Sequence, residues 1–222
     1  MNIEFRRKPD KEEMMVAYDF FKKNMNKIIG TLIVIAALIV GYNLYRSSYE
    51  SNKVLAAEKM YEISKAYQTY DNDTVISKGE EYIDKFSGYD STGDIVIFVA
   101  RAYIRKDNTD QAISILEKNM NTSKNSTFKF SVFNILGGLY MDKWIMEKNP
   151  ALAEKAGEYY LKAAYSDRGL QKDRTLYNAG NSFVQAGKTD KAKDTLKPLY
   201  ENSAELEYQL REKVKYLYEN ID

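Results

Sequence analysis

The sequence predicts an all-α protein: one transmembrane helix, then an α-solenoid of about four helix pairs closed by a C-terminal helix. Three observations carry this expectation. A run of 18 uncharged residues, IIGTLIVIAALIVGYNLY, interrupts an otherwise charged chain. Two distant stretches, RKDNTDQAISIL and QAGKTDKAKDTL, share Thr-Asp-x-Ala followed four residues later by Leu. Only 3 residues are Pro, so helices meet few breakers, while 19 Tyr supply large side chains for packing between them.

The apolar run spans residues 28–45, between Lys27 and Arg46. At ~1.5 Å per residue it covers about 27 Å, close to the roughly 30 Å hydrocarbon core of a bilayer. Ten of its residues are Leu, Ile or Val. On an insertion scale they sum to about −3 to −6 kcal/mol, which outweighs Asn43 near the interface. The following RSSYES offers no small-x-small cleavage site, so the run reads as an anchor and not a signal peptide. Seven Lys or Arg precede it and four follow within 27 residues, which favours a cytoplasmic N-terminus and an extracytoplasmic domain, although counts over 15 residues tie at three each. The chain thus divides into a short cytoplasmic tail (1–27), a transmembrane helix (28–45) and an extracytoplasmic domain (46–222). In the tail, Val16, Phe20, Phe21 and Met25 stand at helical spacing, as in a short amphipathic helix at the inner face. After the span the helix should continue, with Ala57, Met60, Ile63 and Tyr67 on one face.

The domain repeats itself. Val96, Val99, Ala100, Tyr103, Ala112 and Leu116 match Leu176, Ala179, Gly180, Phe183, Ala192 and Leu196 in spacing and size. A third copy reads Phe133, Leu136, Gly137, Tyr140, then Ala156, Tyr160 and Ala163, with DKWIMEKNP inserted between its helices. A weaker first copy reads Met60, Ile63, Ser64, Tyr67, then Gly79, Ile83 and Phe86. This is the pattern of a tetratricopeptide repeat, a helix–turn–helix unit. Small residues let the first helix approach the second, and large ones fill the layer between. Asp107-Asn108 and Gly187-Lys188 should form the turns, with Thr-Asp capping the next helix. Because each unit leaves an apolar face open, the last needs a cover. Leu206, Leu210, Val214 and Leu217 of the terminal helix supply it.

Gly187-Lys188-Thr189 has the ending of a phosphate-binding loop. That loop needs a Gly where Ser182 stands, and a preceding strand where KDRTLYNA reads as helix. The triplet is therefore expected to be a turn, with no nucleotide bound. The 33 basic and 32 acidic residues nearly cancel, so no strong field invites nucleic acid. The absence of Cys and His removes thiol nucleophiles, imidazole bases, disulfides and nearly every zinc site. YDNDT lacks the Gly and Glu of a calcium loop. No catalytic residue, metal site or cofactor is indicated, and the expectation is a binding protein that is not an enzyme.

Stacked repeats line a concave groove with residues of their first helices. In this register they are Ile97, Arg101 and Ile104, then Asn134 and Met141, then Tyr177, Asn181 and Val184. Apolar groups mixed with Asn and Arg suit an extended peptide, whose backbone the amides can bond.

The segment YDFFKKNMNKIIGTLIVIAALIVGYNLYRSSYES, followed by these repeats, resembles the YfgM-like proteins of the bacterial inner membrane. The likeness lies in layout, with Asn26-Lys27 where Gly-Lys is usual before the span. It implies a single-pass protein with a periplasmic repeat domain, acting as an ancillary subunit of the Sec translocon. Its implied partners are a membrane-anchored prolyl isomerase and unfolded secreted clients. An alternative reading of the same architecture is a structural scaffold in a cell-envelope assembly complex, and a third is a cytosol-facing adaptor with inverted topology.

Overall fold

In a computed structural model, residues 10–89, 91–166 and 171–221 are described, and residues 1–9 of the expected tail lie outside them. The described residues form α-helices and one short 3-10 turn (Ser203–Glu205). The helices are α1 (Lys11–Gln68), α2 (Asn72–Lys85), α3 (Thr92–Arg105), α4 (Thr109–Asn119) and α5 (Ser126–Glu147), then α6 (Pro150–Ser166), α7 (Lys172–Gln185), α8 (Thr189–Glu201) and α9 (Tyr208–Glu219). The chain divides into two compact units, Met1–Leu55 and Ala56–Asp222.

In the first unit, the segment expected to be amphipathic and the apolar run belong to one helix, α1, with no break between them. Leu32, Ile33, Val34, Leu38, Ile39 and Leu44 are all exposed, and none of the described residues buries the most apolar stretch. A helix long and apolar enough to cross a membrane therefore lies near the N-terminus.

In the second unit the end of α1 pairs in sequence with α2, α3 with α4, α5 with α6 and α7 with α8, and α9 closes the series. Val96, Val99, Ala100, Ala112 and Leu116 of the second pair are fully buried, as are Ala179, Ala192 and Leu196 of the fourth. Phe183, at 1% exposure, completes the latter layer. The residues of the shared pattern are thus core residues, except Tyr103, which is half-buried where its counterpart Phe183 is enclosed. Leu206 and Val214 are buried against the fourth pair, and Leu210 and Leu217 pack on the same cluster, so α9 is the expected cover. In α1, Ala56, Ile63 and Ala66 are buried while Ala57 is exposed, so the inward face lies one residue from the expected one at its start.

All four pairs turn through one left-handed residue: Tyr70, Asp107, Lys148 and Gly187, with φ between 54° and 69°. In three of them the following N–H reaches back five residues: Asp71 donates to the Ala66 carbonyl, Asn108 to Tyr103 and Lys188 to Phe183, at 2.8–3.0 Å. This is the Schellman closure of a helix end. Only Gly187 adopts the conformation without a Cβ penalty. The caps also differ from expectation. Asn108 accepts from the Gln111 N–H, and Lys188 precedes α8 with no side-chain cap bond. Thr109 and Thr189 are already the first helical residues, and Asp110 and Asp190 lie in the first turns, where the helix dipole favours acids.

The inserted DKWIMEKNP is mostly helix. Gly137 faces Tyr160, whereas its counterpart Gly180 faces Leu196, so the third pair holds seven more residues between matched positions. That is about two turns at 3.6 residues per turn. They are taken up as helix next to the turn, and with a few more residues at the outer ends α5 reaches 22 residues and α6 17, against 14 and 13 for α7 and α8. Pro150 opens α6, where its missing N–H costs nothing. The Asn149 side chain accepts from the Ala151 N–H at 3.1 Å.

Candidate functional site

The first helices of the first three pairs touch in succession, and α7 continues the same face by register. Tyr67 of α1 stacks on Phe98 of α3, with ring centroids 4.3 Å apart. Arg101 donates from Nη1 to the Tyr67 hydroxyl at 3.4 Å, and Arg105 sits over the rings of Tyr67 and Tyr70 at 4.3 and 4.5 Å. Further along, Gly93 of α3 lies against the Phe128 ring of α5. At the far end Arg174 of α7 meets Glu207 before α9 at 3.4 Å.

The eight predicted groove residues all fall on α3, α5 and α7. Arg101 is exposed and the other seven are half-buried. They do not converge on one pocket. Ile97 lines a cleft of about 500 Å³ between α3 and α5, with Asp94, Asn125, Phe128 and Ser131. Tyr177 lines a second, of about 330 Å³, between α7 and α9, with Arg174, Asn178, Leu210 and Lys213. Ile104, Asn134, Met141, Asn181 and Val184 line neither cleft. Tyr177 and Val184 also pack against the C-terminal core, and burial raises the Tyr177 phenol above its ordinary pKa. These two therefore support the fold as well as facing outward.

Sequence reasoning missed the cluster of Tyr67, Tyr70, Phe98 and Arg105. The signal was present in the i,i+4 spacing of Arg101 and Arg105, which puts two guanidinium groups on one helix face. The face therefore mixes cations, held by aromatic rings, with half-buried aliphatic side chains.

A half-buried polar cluster joins the second and third pairs. Tyr140 and Tyr159 both donate to Glu117 Oε1, at 2.9 and 2.7 Å, and Lys155 lies 2.9 Å from the same oxygen. Desolvation alone would raise the Glu117 pKa, but the combined bonds from Lys155, Tyr159 and Tyr140 hold it below the ordinary value. A carboxylate so fully engaged is a joint between helices, and a poor proton acceptor. Gly187-Lys188 is a turn and Thr189 opens α8: Gly187 is left-handed, Ser182 is buried within α7, and Lys188 reaches Glu154 at 3.3 Å. Among the described residues no cluster of acids could hold a metal ion.

The family model of the tetratricopeptide repeat-like domain matches residues 18–143, just over half the chain. No curated protein matches. Among solved structures, the chain is similar to TPR-like repeats of a protein described as a kinesin light chain from Podosopora anserina. The identity is 12% and the TM-score 0.53, over 73% of this chain and 82% of that one. A single-residue variant of those repeats aligns at 13% identity and TM-score 0.50, over 74% and 92%. At such identities the likeness concerns the fold. Stacked repeats of this kind are protein-interaction modules, and the chain belongs to the tetratricopeptide repeat-like domain family.

Proposed function

We propose that the chain is a membrane-anchored protein-binding module, held by residues 28–45 with its repeat domain (46–222) outside the cytoplasm. On this reading it serves exported polypeptides at the inner membrane, as an ancillary factor of the translocon. The observation that carries the reading is the wholly exposed apolar stretch of α1 in the same chain as a repeat domain. About ten unburied aliphatic side chains are untenable in water and favourable in a bilayer. The family match begins at residue 18, before the apolar run, which supports treating anchor and repeats as parts of one design. The mixed cationic and aliphatic face of α3, α5 and α7 suits extended polypeptide, whose carbonyls and side chains need both kinds of partner.

Protease added to spheroplasts tests the topology. The repeat domain should be degraded while an N-terminal tag stays protected, and a protected domain would overturn the reading. Copurification of translocon subunits with the tagged full-length chain then tests the finer assignment. Their absence, with cell-envelope assembly proteins in their place, would favour the scaffold alternative.

A further inference from the structure

The third pair is longer than its neighbour, and the mismatch leaves a surface uncovered. Helix α4 has 11 residues and ends at Asn119, while α6 has 17 and α5 has 22. Where α4 stops, a cleft of about 520 Å³ opens, lined by Asn121, Lys129, Phe133, Leu161, Lys162 and Tyr165 among others. Phe133 holds the register position at which Val96 and Leu176 are buried, yet it remains half-exposed, and Tyr165 is 74% exposed. The apolar floor is braced from below. Phe133 stacks on Tyr159 at 6.2 Å, and Tyr159 stacks on Tyr140 at 5.7 Å and is tied to Glu117.

The rim is positively charged. Among the described residues no carboxylate lies within ion-pair distance of Lys129 or Lys162, whereas Lys78, Lys106, Lys143, Lys155, Lys188 and Lys191 each have one. Lys162 lies 5.0 Å from the Tyr159 ring centroid. Glu158, the acid in the lining, is already met by Lys191 at 3.6 Å. We infer that this cleft is a second docking site, taking a short segment of a partner protein in which an aliphatic or aromatic side chain stands beside a carboxylate. The apolar group would cover Phe133, Leu161 and Tyr165, and the carboxylate would supply the charge that Lys129 and Lys162 lack. Such preformed, charge-complementary clefts give specificity without rearrangement. The site is separate from the face formed by α3, α5 and α7, and does not depend on that face binding anything.

The test uses the full-length chain in zwitterionic nanodiscs and a fluorescein-labelled peptide, Gly-Asp-Leu-Phe-Glu-Gly, followed by anisotropy. A control peptide carries Lys in place of both acids. Saturable binding of the acidic peptide is expected. The double variant Lys129→Glu, Lys162→Glu should weaken it at least about tenfold and bind the basic peptide instead. Tyr165→Ala, at an exposed position the fold does not need, should weaken it several-fold with unchanged helicity. Ile97→Ser should leave it untouched. Failure to saturate, binding insensitive to the lysine reversal, or loss in Ile97→Ser would each overturn the proposal. So would displacement of the peptide by anionic phosphatidylglycerol vesicles through Lys129 and Lys162, which would make a lipid headgroup the occupant.

Discussion

Gly157 of α6 lies flat against the ring of Phe183 in α7. A Cβ at Gly157 would stand 2.7 Å from Cε1, 2.8 Å from Cδ1 and 2.9 Å from Cζ of that ring. Phe183 is 1% exposed and belongs to the C-terminal core, so it has little room to yield. Gly157→Ala should gain up to about 1 kcal/mol of helix propensity and lose roughly 1–3 kcal/mol to overpacking. The expected outcome is a lower melting temperature, read by circular dichroism. A stabilised variant would mean that the third and fourth pairs are not in such close contact.

Lys188→Ala probes the phosphate-loop likeness. The side chain stands on an exposed turn beside Glu154, so stability should change by no more than about 0.5 kcal/mol. Ala192→Leu, at a position with 0% exposure, should force α7 and α8 apart at roughly 1–3 kcal/mol. Isothermal titration with ATP and magnesium should give no heat of binding in the natural chain. Saturable binding abolished by Lys188→Ala would restore a nucleotide role.

The register of the second and fourth pairs was legible because two short helices and a tight turn leave no freedom between matched positions. The third pair was legible only in its layers. Seven extra residues read as a loop insertion, but two whole helical turns preserve the facing of every side chain, and Pro150 and Asn149 start the next helix cleanly. The caps were misplaced by one because Thr-Asp can serve at the cap or in the first turn, and the left-handed residue before it decides which. Gly157 was passed over for Ala156, since both are small and both are buried. The cleft at Phe133 was beyond the sequence, because it arises from α4 being shorter than its neighbours. The expected groove residues fall on α3, α5 and α7, but the placing of Ile97 and Tyr177 in two separate clefts depends on helix crossings that no local pattern encodes.

The Glu117 cluster should make the junction of the second and third pairs acid-sensitive. Its folded-state pKa lies below the ordinary carboxylate value, so the carboxylate form is favoured in the folded protein. The stability this contributes is fully present above the unfolded-state pKa near about 4.3 and is lost as pH falls through the lower folded one. Glu117→Ala would strand two phenols and Lys155 in half-buried positions and should cost about 1–3 kcal/mol. Chemical denaturation between pH 3 and 7 should show a steeper acid loss for the natural chain than for the variant. Parallel curves would mean that the cluster is already solvated.

Tyr103 should give the matching alkaline signature. Burial, and then its bond to Glu80 at 2.7 Å, push the phenol up to about 12. The protonated form is the one the fold favours, so its contribution is complete below about pH 10 and disappears as pH rises towards about 12. Ultraviolet titration of the phenolate band should lose a late-titrating component in Tyr103→Phe. An unchanged curve would place that phenol in ordinary solvent.

The face formed by α3, α5 and α7 is tested by separating binding from folding. Ile97 is half-buried in the cleft between α3 and α5, and Arg101 is exposed with its guanidinium aligned by Tyr67. Tyr177 and Val184 are poorer probes, because they also pack on the C-terminal core. A few anchors carry most of the energy in such interfaces, at roughly 1–2 kcal/mol each. Replacing Ile97 by Ser and Arg101 by Ala together should therefore weaken capture of a permanently unfolded, carboxymethylated polypeptide by about 30- to 1000-fold. Melting should shift little, since neither side chain belongs to the fully buried layer. The measurement pairs affinity for the full-length chain in detergent micelles with a melt of each variant. Intact affinity with an intact fold would exclude this face and leave the cleft beside α4 as the surface to pursue. Lost affinity with a collapsed fold would instead place Ile97 in the core and require a different register for α3.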